Sequence, residues 1–328
     1  MGERDSVRNM KIIVVSTSLR PEHIKKIEDA AAKVNAKLLF TESEDNIPVE
    51  FQDADVVYGI AMNIAKTYKS VKWMCTPNAG VDLLMKPGAF ANEDCILTNS
   101  AGAYGVSIAE HIIAVTLMMM RKITLCYAEA VNGVWGPRRQ QDSIKDSRIT
   151  VLGTGDIGRT FARRAKGFEP KTIIGVSRSG KSSEPAFDRM YKTEELDKVL
   201  PETDLLVMSL PDTVETKGIL TRERMALLPD GAYIVNVGRG SAIDEDALAD
   251  MLESEHIAGA ALDVFSTEPL PEDNRLWKTK NLLITPHVAG NLTLKHTLDR
   301  NVDMFLEDLE NYAEGRQLKY AVDRKLGY

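Results

Sequence analysis

The stretch Arg148-Ile149-Thr150-Val151-Leu152-Gly153-Thr154-Gly155-Asp156-Ile157-Gly158 constrains this chain more than any other. It opens as a short apolar run rich in β-branched residues, the composition of a buried strand. It then breaks into Gly-x-Gly-x-x-Gly and continues from Arg159 to Ala165 with the composition and spaced apolar positions of a helix. Strand, glycine loop and helix in that order form the first turn of a dinucleotide-binding βαβ unit. Gly153 permits the tight turn, Gly155 lets the backbone approach a pyrophosphate, and Gly158 lets helix and strand pack closely. Thr154, Asp156 and Ile157 complete the loop. The phosphates are expected on the helix N-terminus, where free N–H groups and the dipole favour negative charge.

In such units the second strand usually ends in an acidic residue, about 20 positions past the glycines, that accepts the ribose hydroxyls. Here the second strand runs into Ser177-Arg178-Ser179-Gly180-Lys181, with no carboxylate. Two hydroxyls and two cations stand where a phosphate could sit, and a guanidinium matches phosphate geometry. This predicts NADP as cofactor. The alternative is a solvated polar loop beside NAD.

Strands and helices alternate on both sides of the glycine loop. Upstream, strands are expected over 10–16, 37–40, 55–59 and 71–75, with a helix over 21–34. Downstream, strands over 172–176, 204–210, 232–237, 258–264 and 282–285 alternate with helices over 194–200, 222–228 and 244–254. The pattern describes open parallel sheets with helices on both faces. A nearly all-apolar helix over 106–121 is expected to be buried between domains or subunits. After Asn291, the apolar positions Leu294, Leu298, Val302, Phe305, Leu306 and Leu309 follow helical spacing, and this helix is expected to return to the first domain. The fold expected is α/β with two doubly wound parallel-sheet domains. A Rossmann nucleotide-binding domain, 102–291, is inserted in a smaller split substrate domain, 1–101 and 292–328. The region 131–147 reads as polar and irregular, and Trp135 within it is either a core residue or one offered to a neighbouring subunit.

A chain of 328 residues exceeds one typical core, in keeping with two domains. A net charge of −7 argues against nucleic acid or an anionic membrane as the main partner. Cys75, Cys95 and Cys126 are odd in number and lack metal-ligand spacing, so reduced thiols and no metal site are expected. Asp5, Arg8 and Lys11 interrupt any apolar core of a secretory signal. The run from Ile108 to Met120 is too short to span a bilayer. Met1-Gly2 with Ser6 formally matches a myristoylation pattern, with nothing else to support anchoring. A soluble, cytoplasmic protein is expected.

Three strand ends carry ionisable residues. Asn236-Val237-Gly238-Arg239-Gly240 places an Arg among glycines after one buried strand. Leu262-Asp263-Val264-Phe265-Ser266-Thr267-Glu268-Pro269 places a Glu after the next, and Thr285-Pro286-His287-Val288-Ala289-Gly290 a His after the last. Singly, each has an ordinary reading: a surface cation, a turn carboxylate, a satisfied histidine. At successive carboxyl ends of strands beside a nucleotide loop, they form a candidate site. Hydride addition to a ketone leaves an oxygen needing a proton, which His287 can supply as general acid. Glu268 can hold the ring through its other nitrogen, and Arg239 can grip a carboxylate and polarise the adjacent carbonyl.

The glycine loop, Asn-Val-Gly-Arg-Gly, Asp-Val-Phe-Ser-Thr-Glu-Pro-Leu-Pro and Thr-Pro-His-Val-Ala-Gly occur in the order and spacing of the D-isomer-specific 2-hydroxyacid dehydrogenases, which the chain resembles over nearly its whole length. The cationic ribose loop is most similar to the glyoxylate/hydroxypyruvate reductase branch. The resemblance implies Arg239, Glu268 and His287 as the active-site triad, and Asn78, Ala79 and Gly80 as the substrate loop, with the N–H groups of Ala79 and Gly80 on the substrate carboxylate. It places Asp263 near the nicotinamide amide. The nucleotide site it implies comprises the glycine loop, Ser177, Arg178, Ser179, Leu210, Pro211, Val237, Gly238, Asp263, His287 and Gly290. It also implies a homodimer joined through the nucleotide domains. Ser177 and Asn78 depart from the common Asp and Gly. The competing reading is a nucleotide-sensing scaffold, like the family's corepressors, acting through partners.

Overall fold

The computed structural model describes residues 9–324; the Met1-Gly2 and Ser6 pattern lies outside them. In chain order the elements begin with β1 Lys11–Val15, α1 Pro21–Lys33, β2 Lys37–Thr41, β3 Val56–Gly59, α2 Met62–Thr67, β4 Trp73–Cys75 and β5 Ile96–Thr98. Then come α3 Gly105–Met120, α4 Ile123–Ala130, β6 Arg148–Leu152, α5 Asp156–Ala165, β7 Thr172–Ser177 and β8 Arg189–Lys192. They are followed by α6 Leu196–Val199, β9 Leu205–Met208, α7 Arg222–Met225, β10 Ala232–Asn236, α8 Glu245–Glu253, β11 Ile257–Leu262, β12 Leu282–Ile284 and α9 Lys295–Ala313. Two compact units result, one of residues up to Ala103 and from Leu292 onward, the other Tyr104–Asn291.

The first unit holds a five-stranded parallel sheet in the order β2-β1-β3-β4-β5. Strands such as Lys11-Ile12-Ile13-Val14-Val15 are buried on both faces, which is why they read as unbroken apolar runs rather than alternating ones. One face packs on α1 and on α9, where Phe305 stacks against Tyr58 and Trp73 at ring-centroid distances of 4.7 and 5.4 Å. The Trp73 indole N–H donates to Thr98 Oγ1 at 2.9 Å, so β4 and β5 are joined by side chain as well as backbone.

The second unit holds a seven-stranded parallel sheet in the order β12-β11-β10-β9-β6-β7-β8. The chain winds outward from β6 in one direction through β7 and β8, then returns to β9 and winds the other way. The switch point between β6 and β9 is where open α/β sheets bind ligands. α3 packs on α5 and against β10 and β11, with Ile108, Ala109, Ile112, Val115 and Met119 buried.

Four elements lie outside the sequence expectation: α2, β5, α4 and β8. α4 buries none of its residues, and Trp135 beyond it is fully exposed, which removes the core reading of that tryptophan. Expected helices over 194–200 and 222–228 shorten to single α-turns, the first flanked by 3₁₀ turns. Among the described residues, no helix is long and apolar enough to cross a membrane.

Candidate active site

The glycine loop joins β6 to α5 at the switch point. Gly153 has φ +101°, and a Cβ there would stand 2.7 Å from Ser209 O, so the turn admits only glycine. A Cβ on Gly158 would lie 2.0 Å from Gly153 O, which sets how closely α5 can approach the loop. Nothing stands within 4 Å of the position a Gly155 Cβ would take, leaving the side from which a pyrophosphate would approach open. Asp156 begins α5; its buried Oδ2 has no hydrogen-bond partner among the described residues, and it packs where a Cβ on Gly105 would stand. An open backbone cradle at a helix N-terminus fits a dinucleotide pyrophosphate. Leu210 and Pro211 leave β9, and Val237 and Gly238 leave β10, all at the same sheet edge; the Gly238 N–H donates to Asn236 Oδ1 at 3.0 Å.

Ser177 ends β7, and the Gly180 N–H donates to Ser177 O at 3.1 Å, closing the turn that displays Arg178 and Ser179. No carboxylate interrupts this loop. Sequence reasoning missed one neighbour. The Glu215 carboxyl is held below its ordinary value by its own backbone N–H, then by the Thr213 hydroxyl and by the charge of Arg178. An acidic group therefore shares the electrostatic field of the cation assigned to the ribose end. Nothing in the sequence pairs positions 178 and 215, because only the sheet order brings the exits of β7 and β9 to one edge.

The exits of β10, β11 and β12 are neighbours in the sheet, and they carry Arg239, Glu268 and His287. His287 Nδ1 lies 2.7 Å from Glu268 Oε2, while Glu268 Oε1 accepts from the Phe265 N–H at 2.9 Å. The carboxylate can only accept, so Nδ1 carries the proton of that bond. Nε2 bonds to no described residue, and the side chain is 52% exposed. The structure thus brings His287 and Glu268 together. Arg239 donates from Nη1 to Gly238 O at 2.8 Å, and Asn236 Nδ2 donates to Arg239 O at 2.9 Å, fixing the backbone that presents it.

Asp263 is 2% exposed, and its carboxylate is fully engaged. Oδ1 accepts from Thr285 Oγ1 at 2.6 Å and the Val288 N–H at 2.9 Å; Oδ2 accepts from the Ala289 N–H at 2.9 Å. Its main-chain oxygen accepts from the His287 N–H at 2.8 Å. Asp263 is therefore the anchor of the loop that carries His287 and ends at Gly290.

Asn78, Ala79 and Gly80 follow β4 in the other unit. Asn301 Nδ2 donates to Pro77 O at 2.7 Å and Asn301 Oδ1 accepts from the Tyr58 hydroxyl at 2.6 Å, both fully within the core. Asn99 Nδ2 donates to Ala79 O at 2.8 Å, and the Ser100 N–H to Asn78 O at 3.0 Å. The loop's carbonyls are thus held from behind, while the N–H groups of Ala79 and Gly80 donate to no described residue.

A doubly wound sheet with this loop at its switch point, and a carboxylate-bound histidine at the carboxyl end of another strand of the same sheet, defines a nucleotide-dependent oxidoreductase. Residues 113–289 match the model of "D-isomer specific 2-hydroxyacid dehydrogenase, NAD binding domain", and the chain belongs to that family. It is 32% identical to a glyoxylate/hydroxypyruvate reductase A of Citrobacter koseri over 226 residues, 68% of this chain and 70% of that one. Among solved structures, a D-isomer specific 2-hydroxyacid dehydrogenase family protein from Aeromonas salmonicida superposes with a TM-score of 0.85 at 29% identity, covering 97% of this chain and all of that one. An NADPH-dependent glyoxylate/hydroxypyruvate reductase from Sinorhizobium meliloti, solved with NADP and sulfate, gives 0.80 at 25% identity, covering 98% and 100%.

Proposed function

We propose that this protein reduces a small 2-keto acid of the glyoxylate or hydroxypyruvate type to the corresponding D-2-hydroxy acid, using NADPH. The observation that carries this is the His287–Glu268 pair, 2.7 Å apart at a strand exit of the sheet that bears the glycine loop. A nicotinamide dinucleotide bound at Gly153, Gly155 and the start of α5 supplies hydride. The protein's own residues do the rest. Glu268, fixed by the Phe265 N–H, holds the ring with Nδ1–H toward itself. In the doubly protonated imidazolium the Nε2–H proton goes to the substrate oxygen as hydride adds to the carbonyl carbon, leaving the neutral Nδ1–H imidazole. Arg239 grips the substrate carboxylate and polarises the neighbouring carbonyl. In the other unit, the N–H groups of Ala79 and Gly80, which donate to no described residue, are suited to a carboxylate.

NADPH is favoured by Ser177, Arg178, Ser179 and Lys181, which offer hydroxyls and cations to a 2′-phosphate and carry no carboxylate at the end of β7; the acidic group sharing the field of Arg178 is Glu215, beyond β9. Assaying NADPH and NADH oxidation by the purified protein against a panel of 2-keto acids tests the reading. Turnover with glyoxylate or hydroxypyruvate and higher kcat/KM for NADPH is expected; no turnover with any 2-keto acid would sink it. Three unpaired cysteines support a reducing, cytoplasmic setting. Ile123, Leu125, Tyr127, Val131, Val134 and Trp135 expose apolar side chains along one segment of the nucleotide unit, which supports a homodimer formed there. Light scattering at micromolar concentration should give twice the chain mass.

A further inference from the structure

His287 stands at φ +54°, a left-handed backbone that is strained for a non-glycine residue and persists only where its surroundings enforce it. Asp263 provides that enforcement through the N–H groups of His287, Val288 and Ala289. What fixes Asp263 in turn is the Thr285 hydroxyl, which has one proton and gives it to Asp263 Oδ1 at 2.6 Å. The second neighbour of that hydroxyl is His111 Nε2 on α3, at 3.3 Å. With its proton committed, Thr285 Oγ1 can only accept from the imidazole, so His111 is the Nε2–H tautomer. Burial outweighs the attraction of Asp263 and lowers the His111 pKa below its ordinary value, which keeps the ring neutral with that single N–H.

We propose that His111 is a positioning residue for the reaction, holding the loop that presents His287 by a chain of hydrogen bonds running through Thr285 and Asp263. The chain points one way: His111 donates to Thr285, Thr285 to Asp263, and Asp263 receives the backbone N–H groups on the far side. Each group is oriented by the one before it, and α3, packed on α5 and the sheet, is the fixed end. The proposal rests on the reading of His287 as proton donor.

The test compares His111→Leu with His111→Gln, whose amide can offer an N–H near the place of imidazole Nε2–H. Hydrogen exchange at the Val288 and Ala289 amides is measured on the full chain, alongside kcat and KM for NADPH and a 2-keto acid. In His111→Leu both amides should exchange faster and kcat should fall about tenfold with little change in either KM, the scale of a small misplacement of a reacting group. His111→Gln should restore both readouts to within about twofold of wild type. Thr285→Val should reproduce His111→Leu, and combining the two should add nothing, because both cut one chain. Unchanged amide exchange in His111→Leu, an equal loss in His111→Gln, or additive losses would overturn the proposal. Wild-type turnover by His287→Ala would instead overturn the chemical reading, and the exchange data would still decide whether the link to the loop exists.

Discussion

Replacing Asp263 by Asn removes one acceptor from a buried cluster of three donors, and the cost can be worked from the geometry. The amide oxygen can still serve Thr285 Oγ1 and the Val288 N–H, which share Oδ1 in the wild type. The new NH₂ group then faces the Ala289 N–H, donor against donor, at a residue only 5% exposed. One charge-assisted bond is lost, worth about 1.5–3 kcal/mol, and a buried N–H left unpaired costs about 1–3 kcal/mol; the two overlap, giving roughly 2–4 kcal/mol in all. Flipping the amide is worse, since it leaves two donors facing the NH₂. Urea unfolding at neutral pH should show that loss with an unchanged m value. NADPH oxidation should fall with it, because all three donors belong to the loop that carries His287. A variant within about 0.5 kcal/mol of wild type, the range of an ordinary surface change, would show that Asp263 does not anchor the loop.

Cofactor choice should follow the ribose loop: Arg178→Ala is expected to raise KM for NADPH roughly ten- to hundredfold, the worth of one charge-assisted bond, and to leave KM for NADH nearly unchanged. Ser177→Asp should reverse the preference by restoring repulsion of the 2′-phosphate, and Glu215→Gln should lower KM for NADPH by freeing Arg178 of a competing carboxylate. Equal kcat/KM for both cofactors in the wild type would refute the assignment. Acid stability should depend on Asp299, whose carboxyl is held down to about 2 by Lys295 and then His23. A carboxyl depressed in the folded state stabilises fully above its ordinary range and loses that contribution as pH falls toward its folded pKa, so Asp299→Asn should flatten the stability curve between about pH 5 and pH 2. Parallel curves for the two proteins would contradict this.

The sequence made the winding of both sheets legible because parallel strands buried on two faces are written as plain apolar runs, as in Ile149–Leu152 or Tyr233–Val235. It named the His287–Glu268 pair because each follows such a run. β8 was hidden: Arg-Met-Tyr-Lys at a sheet edge is half solvated and carries charge at both ends. β5 and α2 are too short to show periodicity, and α4 has no buried face to impose one. The links from His111 to Thr285 and from Asn301 to Pro77 span 174 and 224 positions. Such contacts are set by how helices lie on the sheets, and no local pattern records them. Only the resemblance implies that Asp263 lies near the nicotinamide; what the structure adds is how its carboxylate holds the loop of His287.

The proposed reaction depends on His287 delivering the proton. The most direct test is His287→Ala, with kcat measured in saturating NADPH and glyoxylate or hydroxypyruvate, and NADPH affinity measured separately by fluorescence titration. A loss of roughly a hundredfold to ten-thousandfold in kcat is expected, with nucleotide affinity and unfolding midpoint close to wild type. Wild-type turnover in this variant would remove His287 from the chemistry.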